Sequence, residues 1–310
     1  MKIIFIGTPD FAVPCLERII SDGYEVAAVI TQPDKPKGRN FTLTSPPVKV
    51  YAITHNIPVF QPLALKNSEL ELLPLLNVYR PDLIVVAAYG KILPEYFLNF
   101  TRLGCINIHA SLLPKYRGAA PIQWAIINGE KQTGITSMYM AKEMDSGDII
   151  LKSTITIEEN DTAGTLFEKL AVLGAENLSK TLKLIESGKA KRESQEHSKA
   201  TLAPMITKSN TIIDWNNDIE LIYNFVRGLN PIPCAHTILN GKMFKILSVQ
   251  KSSEFRSGSC GELFEKGNEY YVICRNGSVI LKEIVPESCK KMMASEYFRG
   301  HKIDSSHKFC

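Results

Sequence analysis

Long apolar runs are missing from this chain of 310 residues. A membrane-spanning helix needs about 20 consecutive apolar residues, whereas the first apolar run, Ile3 to Ile6, meets Gly7, Pro9 and Asp10 at once. Neither a signal peptide nor a membrane span is expected, and the chain reads as cytoplasmic. Paired cysteines are missing too. The seven thiols, at positions 15, 105, 234, 260, 274, 289 and 310, are odd in number and contain no Cys-x-x-Cys, which argues against a disulfide framework and a structural zinc site and for reduced thiols. The first strand-to-helix turn, Gly7-Thr8-Pro9-Asp10-Phe11-Ala12, holds one glycine where dinucleotide-binding turns carry three. A pyrophosphate cannot approach such a backbone in the usual way, so NAD is not expected.

What is present is an ordinary globular composition, 45% hydrophobic and 22% charged, long enough for two domains with a sizeable core. The net charge of +4 is unevenly spread. Residues 1–187 carry 18 basic against 19 acidic side chains, and residues 188–310 carry 18 against 13. That split suits a catalytic body joined to a module that faces a polyanion.

Hydrophobic patterning gives the first half alternating strands and helices. Strands are expected over 2–7, 27–31, 58–60, 83–88, 105–109, 134–140 and 149–157, and helices over 12–21, 48–55, 68–79 with Ser68 as cap, 121–128 and 162–187. This predicts an α/β domain with a Rossmann-like, mostly parallel sheet. Residues 32–47 read as a long polar loop with five prolines and glycines, a length that is usually functional. Residues 189–202 are polar and mixed in charge and read as a linker between a domain over 1–188 and one over 203–310. In the latter, a helix over 218–227 precedes short strands punctuated by Gly241, Gly267 and Gly277, which predicts a second, smaller OB-like β-barrel.

Reactive side chains are densest in residues 104–121. The alternation of Cys105, Ile106, Asn107, Ile108 and His109 puts Asn107 and His109 on one strand face, and Pro114, Arg117 and Gly118 then bend the chain. At the carboxyl edge of an open α/β sheet ligands bind. An amide and an imidazole can both donate to one oxygen, which suits a carbonyl becoming an oxyanion, and hence acyl transfer. An isolated Asn-x-His is more often a satisfied histidine beside a turn-capping asparagine.

The motif here is longer. Asn-Ile-His-Ala-Ser-Leu-Leu-Pro at 107–114 resembles the signature of the folate-dependent formyltransferases. Further blocks follow in family order along nearly the whole chain: GTPDFAVP at 7–14, QPDKPKGR at 32–39, PVFQP at 58–62, VVAAYGKILP at 85–94, NIHASLLPKYRGAAPIQ at 107–123, MDSGDII at 144–150, IDW at 213–215 and RGLNP at 227–231. They are similar to the branch of that family that acts on methionyl-tRNA.

The resemblance implies transfer of a formyl group from 10-formyltetrahydrofolate to the α-amino group of methionyl-tRNA, with no metal. It implies that Asn107 and His109 donate to the oxyanion, and that Asp145 orients His109 or accepts the amine proton. It also implies that the corner Ala88, Tyr89, Gly90, Ile92, Leu93 and Pro94 and the loop Ser111, Leu112, Leu113 and Pro114 receive the folate, and that the loop with Lys35, Lys37 and Arg39 enters the tRNA acceptor arm. Asp145 rests on the resemblance alone, because Asp-x-Gly is a common turn. Lys208, Lys242 and Lys245 are the C-terminal lysines expected on RNA phosphates, and a monomer is expected. The competing readings are a related formyltransferase or hydrolase acting on a small amine or nucleotide sugar, and a tRNA-binding protein without activity. A thioester route through Cys105, on the same strand face, is a further alternative.

Overall fold

Apolar residues cover both faces of Lys2–Gly7 (β1), where Ile3, Ile4, Phe5 and Ile6 are all fully buried. Only a strand in the middle of a sheet with helices on each side has that pattern. The computed structural model describes all residues except 38–40, 64, 66–68 and 305–306. After β1 come Val13–Ser21 (α1), Glu25–Ile30 (β2), Lys35–Lys37 (β3), Thr42–Thr44 (β4), Pro47–Thr54 (α2), Val59–Phe60 (β5), Glu69–Tyr79 (α3), Leu83–Ala87 (β6), Glu95–Leu98 (α4), Cys105–His109 (β7), Pro121–Ile127 (α5), Gln132–Tyr139 (β8), Ile149–Thr156 (β9) and Ala163–Glu186 (α6). Ser68, the expected cap of α3, lies outside the described residues.

The chain forms two units. The first comprises Met1–Pro121, Gln132–Ile155 and Phe167–Pro204; the second comprises Ile122–Lys131, Thr156–Leu166 and Met205–Cys310. In the first unit seven strands form one sheet in the order β5-β2-β1-β6-β7-β8-β9. Pairing is parallel from β5 to β7, and β8 is antiparallel to β7. The chain adds β2 and β5 on one side of β1, then crosses to β6 and β7 on the other. The crevice beyond the carboxyl ends of β1 and β6 is therefore a topological switch point, where open α/β sheets bind ligands. The single glycine of the first turn serves packing: a Cβ on Gly7 would lie 2.8 Å from Ala12 Cβ and 2.9 Å from the Ala87 carbonyl.

The expected polar loop over 32–47 contains a small antiparallel hairpin, β3 with β4, in which Lys35 faces Thr44 and Lys37 faces Thr42. Its root is fixed by Asp34, whose carboxylate accepts from Lys49 Nζ at 2.8 Å, Gln61 Nε2 at 2.8 Å and Ser45 Oγ at 3.1 Å. The bonds from Lys49 and Gln61 hold this carboxyl below the usual aspartate range. Pro36 hides the hairpin from the sequence, because proline inside a run argues against a strand and is tolerated on a short edge.

Residues 189–202, read as a linker, belong to the first unit. Glu193 exchanges both backbone hydrogen bonds with Ile149, at 2.8 and 3.0 Å, and Ala203 N–H donates to the Arg117 carbonyl at 2.7 Å. The two short stretches from the middle of the chain are held within the second unit in a similar way. Arg227 Nη1 donates to the carbonyls of Glu158 and Asp161 at 3.1 and 2.9 Å, and Gly228 approaches α5 so closely that a Cβ would meet Ile127 Cγ1 at 2.7 Å.

The second unit continues with Ile219–Leu229 (α7), Ala235–Leu239 (β10), Lys242–Ser252 (β11), Leu263–Lys266 (β12), Glu269–Cys274 (β13), Gly277–Pro286 (β14), Met292–Met293 (β15) and Ala294–Gly300 (α8). Its sheet is antiparallel throughout, ordered β10-β11-β14-β13-β12 with β15 on β14. The C-terminal segment bridges the two edges. Cys310 exchanges backbone bonds with Ile238 on β10, at 3.0 and 3.2 Å. On the other side, Leu263 N–H of β12 donates to the His307 carbonyl at 3.1 Å and Phe309 N–H to Gly261 at 2.9 Å. That closure makes the sheet barrel-like and covers part of both edges. Trp215, Phe244, Phe298 and Phe309 fill the interior, where burying a large apolar side chain contributes about 1.5–3 kcal/mol. The one polar atom of Trp215, Nε1, donates to Thr237 Oγ1 at 3.0 Å. Among the described residues no helix is long and apolar enough to cross a membrane.

Candidate active site

β7 ends at His109 on the carboxyl edge of the first sheet. Asn107 lies opposite Val86 of β6 and Met138 of β8, and His109 lies opposite Thr136. The pleat turns Asn107 and His109 to one face and Ile106 and Ile108, 0% and 2% exposed, to the other. Asn107 is half-buried and His109 is 6% exposed.

Both ring nitrogens of His109 face acceptors. Nε2 lies 2.9 Å from the Tyr116 carbonyl, and Nδ1 lies 3.6 Å from Asp145 Oδ2. Of the two, only Nε2 is within hydrogen-bond distance of its acceptor, so the hydrogen bond this geometry offers is made by the ring carrying a proton on Nε2, with Nδ1 turned towards the carboxylate. Asp145 is reached through a tight turn. Its φ of 51° is left-handed, the Gly118 N–H donates to its Oδ2 at 2.9 Å, and any Cβ on Gly147 would collide with the Tyr139 carbonyl. The structure thus brings Asp145 to His109 across 36 residues of chain.

The loop after β7 is ordered by Thr136. Its Oγ1 donates to the Ser111 carbonyl at 2.7 Å and accepts from the Leu113 N–H at 3.1 Å, while Ser111 Oγ donates to the Lys115 carbonyl at 2.6 Å. Several residues expected to receive the folate turn their side chains inward. Ser111 is fully buried; Leu113 packs with Met138 and Ile149; Tyr89 and Leu93 join the core cluster that holds Ile84, Val86 and Cys105. These four can offer a ligand only backbone. Ile92 is 78% exposed beside the left-handed corner of Ala88 and Gly90, with φ 47° and 75°. Leu112 and Pro114 are half-buried. An exposed apolar side chain beside a left-handed corner at the switch point fits the apolar face of a flat heterocycle such as a pterin.

Of the expected tRNA contacts, Lys35 is exposed and donates to Gln32 Oε1 at 2.8 Å, Lys37 lies on β3, and Arg39 falls outside the described residues. In the second unit Lys245 pairs with His236 across β10 and β11. Thr211 Oγ1 is bonded to His236 Nδ1 at 2.9 Å and to the Lys208 carbonyl at 2.8 Å. Lys245 thus neighbours His236 directly, and the Lys208 backbone is linked to it through Thr211. Lys242, three residues before Lys245, has the opposite strand parity and sits at the hairpin tip.

Cys105 is buried, with Sγ 3.5 Å from Met140 Sδ, and burial drives its thiol far above the ordinary range. It stays protonated and is a poor nucleophile. Cys105→Ser is expected to leave kcat essentially unchanged in a steady-state assay; abolished turnover in a folded variant would restore the thioester route. One contributor escaped the sequence, the Tyr116 carbonyl on His109 Nε2, because a backbone acceptor carries no sequence signal. Among the described residues no three His, Cys, Asp or Glu side chains cluster as metal ligands.

The class follows from comparison with known proteins. Residues 1–182 match the formyl transferase family and residues 205–302 the formyl transferase C-terminal domain. The fold is shared with the N-formyltransferase from Helicobacter canadensis, solved with folinic acid and dTDP-3-aminofucose (TM-score 0.68, 19% identity, 94% of this chain and 100% of that one). It is shared also with HypX from Aquifex aeolicus, solved with tetrahydrofolic acid (TM-score 0.66, 16% identity, 96% of this chain), of which this chain spans about half, 47%. Methionyl-tRNA formyltransferase of Caldanaerobacter subterraneus subsp. tengcongensis is 50% identical over 98% of each chain. This chain belongs to the methionyl-tRNA formyltransferase family.

Proposed function

We propose that the protein transfers the formyl group of 10-formyltetrahydrofolate to the α-amino group of initiator methionyl-tRNA in translation initiation, acting as a cytoplasmic monomer. One observation carries the chemistry: His109 is held between the Tyr116 carbonyl and Asp145, with Asn107 on the same strand face. The α-amino group, with a pKa of about 8, is partly neutral at physiological pH and needs little activation. Its attack on the formyl carbon leaves charge on the formyl oxygen. Asn107 donates to that oxygen, an interaction worth about 2.7–4 kcal/mol when preorganised.

His109 works through Nδ1, since Nε2 is committed to Tyr116. Nδ1 takes the proton released by the attacking amine, and the resulting imidazolium both faces the oxyanion and is stabilised by Asp145. The same proton then passes to the folate nitrogen as the carbon–nitrogen bond breaks, which returns the ring to its starting state. Ile92, Leu112, Pro114 and the backbone of Ala88, Tyr89, Gly90, Leu93, Ser111 and Leu113 hold the folate.

The first unit carries the chemistry and the second binds tRNA, with Lys208, Lys242 and Lys245 on phosphates and with Lys35, Lys37 and Arg39 of the segment 32–47 on the acceptor arm. Arg39→Glu is expected to raise KM for methionyl-tRNA with kcat retained; an unchanged KM would remove Arg39 from recognition. The decisive test of the acceptor is incubation with formyl-labelled 10-formyltetrahydrofolate and either charged tRNA or free methionine. Label on charged tRNA alone supports the proposal, and label on free methionine or on neither overturns it.

A further inference from the structure

The turn that presents Asp145 is gripped by a segment that none of the roles above uses. Gln195 is 6% exposed. Its Nε2 donates to two carbonyls of that turn, Asp145 at 2.9 Å and Gly147 at 2.7 Å. Its Oε1 accepts from Arg117, from Nη2 at 2.6 Å and Nε at 3.2 Å. Arg117 is itself 9% exposed and fixed by its backbone: its N–H donates to the Thr201 carbonyl at 2.8 Å and its carbonyl accepts from Ala203 at 2.7 Å. Tyr116 N–H donates to Thr201 Oγ1 at 2.9 Å.

The residues flanking Arg117 are the ones that hold the reactive pair. Tyr116 supplies the carbonyl on His109 Nε2, and Gly118 supplies the N–H on Asp145 Oδ2. One side-chain amide therefore joins the backbone that carries Asp145 to the backbone that orients both Asp145 and His109. The grip has a physical purpose, because a left-handed aspartate costs free energy and persists only where its surroundings over-determine it. Glutamine suits the task. It offers two N–H donors to two carbonyls and one oxygen to a guanidinium, a combination that glutamate and leucine lack.

We propose that Gln195, anchored by Arg117, is a positioning residue that aims the Asp145 carboxylate at His109. The proposal rests on the role assigned to Asp145 above. In the full-length protein, Gln195→Leu and Gln195→Glu are expected to lower kcat by about tenfold to a hundredfold, the scale of a displacement near 1 Å, with KM for both substrates unchanged. Arg117→Lys, which keeps the buried charge and loses the forked bond, is the second variant and gives the same pattern more weakly.

The discriminating readout is the same substitution in an Asp145→Ala background. A residue that acts through Asp145 has little left to disturb there, so the further loss stays within about twofold. An equal loss in both backgrounds marks Gln195 as generally structural and overturns the proposal, as does full activity of both Gln195 variants. Undiminished turnover by Asp145→Ala alone is a different failure, since it removes the role of Asp145 itself.

Discussion

Asn107→Ala is expected to lower kcat for formyl transfer by about 10²–10³, with KM for the formyl donor nearly unchanged. The size follows from when the interaction is made. The formyl oxygen carries little charge in the bound donor and a full charge in the tetrahedral intermediate, so an amide aimed at it binds the transition state far better than the ground state. Truncation at this position leaves β7 in place, because the backbone of residue 107 is paired on both sides, against Val86 and Met138. A loss confined to KM would instead make Asn107 a donor-binding residue.

Asp145→Asn is expected to lower kcat by about 10²–10⁴, the range for removing a positioned acid–base partner. The substitution keeps the shape of the turn and an oxygen for the Gly118 N–H, so it isolates the charge. Without that charge an imidazolium formed on His109, at 3.6 Å from Oδ2, would have no counter-charge. The side chains are 7% and 12% exposed, and so little solvent is available to substitute for the carboxylate. The check is steady-state kcat beside a thermal midpoint; unaltered kcat at an unaltered midpoint would take Asp145 out of the reaction.

Much of this was readable in the chain because burial and alternation leave marks. β1 and β6 are apolar without interruption, which only a two-faced central strand requires, and β7 alternates so that Asn107 and His109 share a face. The features that were not readable depend on partners distant in sequence. The β3–β4 hairpin contains a proline that argues against it. The segment that closes the second sheet, residues 307–310, offers one apolar residue, Phe309, and does its pairing through backbone. Gln195 is buried by contacts to carbonyls 48 and 50 residues away, which no local pattern announces. Leu93 and Leu113 lie inside blocks that resemble folate-binding segments, yet a block match says nothing of which way a side chain turns, and both turn into the core. The assignment of residues 122–131 and 156–166 to the second unit also escapes a reading that treats domains as contiguous.

The account stands on an amide, an imidazole and a carboxylate acting together on one formyl carbon. Its most direct test is single-turnover formyl transfer to charged tRNA at saturating donor, measured for Asn107→Ala, His109→Ala and Asp145→Asn beside the equilibrium affinity of each for the folate. The account predicts that all three bind folate like the unaltered protein and transfer the formyl group at least about a hundredfold more slowly. Three variants that bind folate weakly and, once saturated, transfer at the normal rate would contradict it.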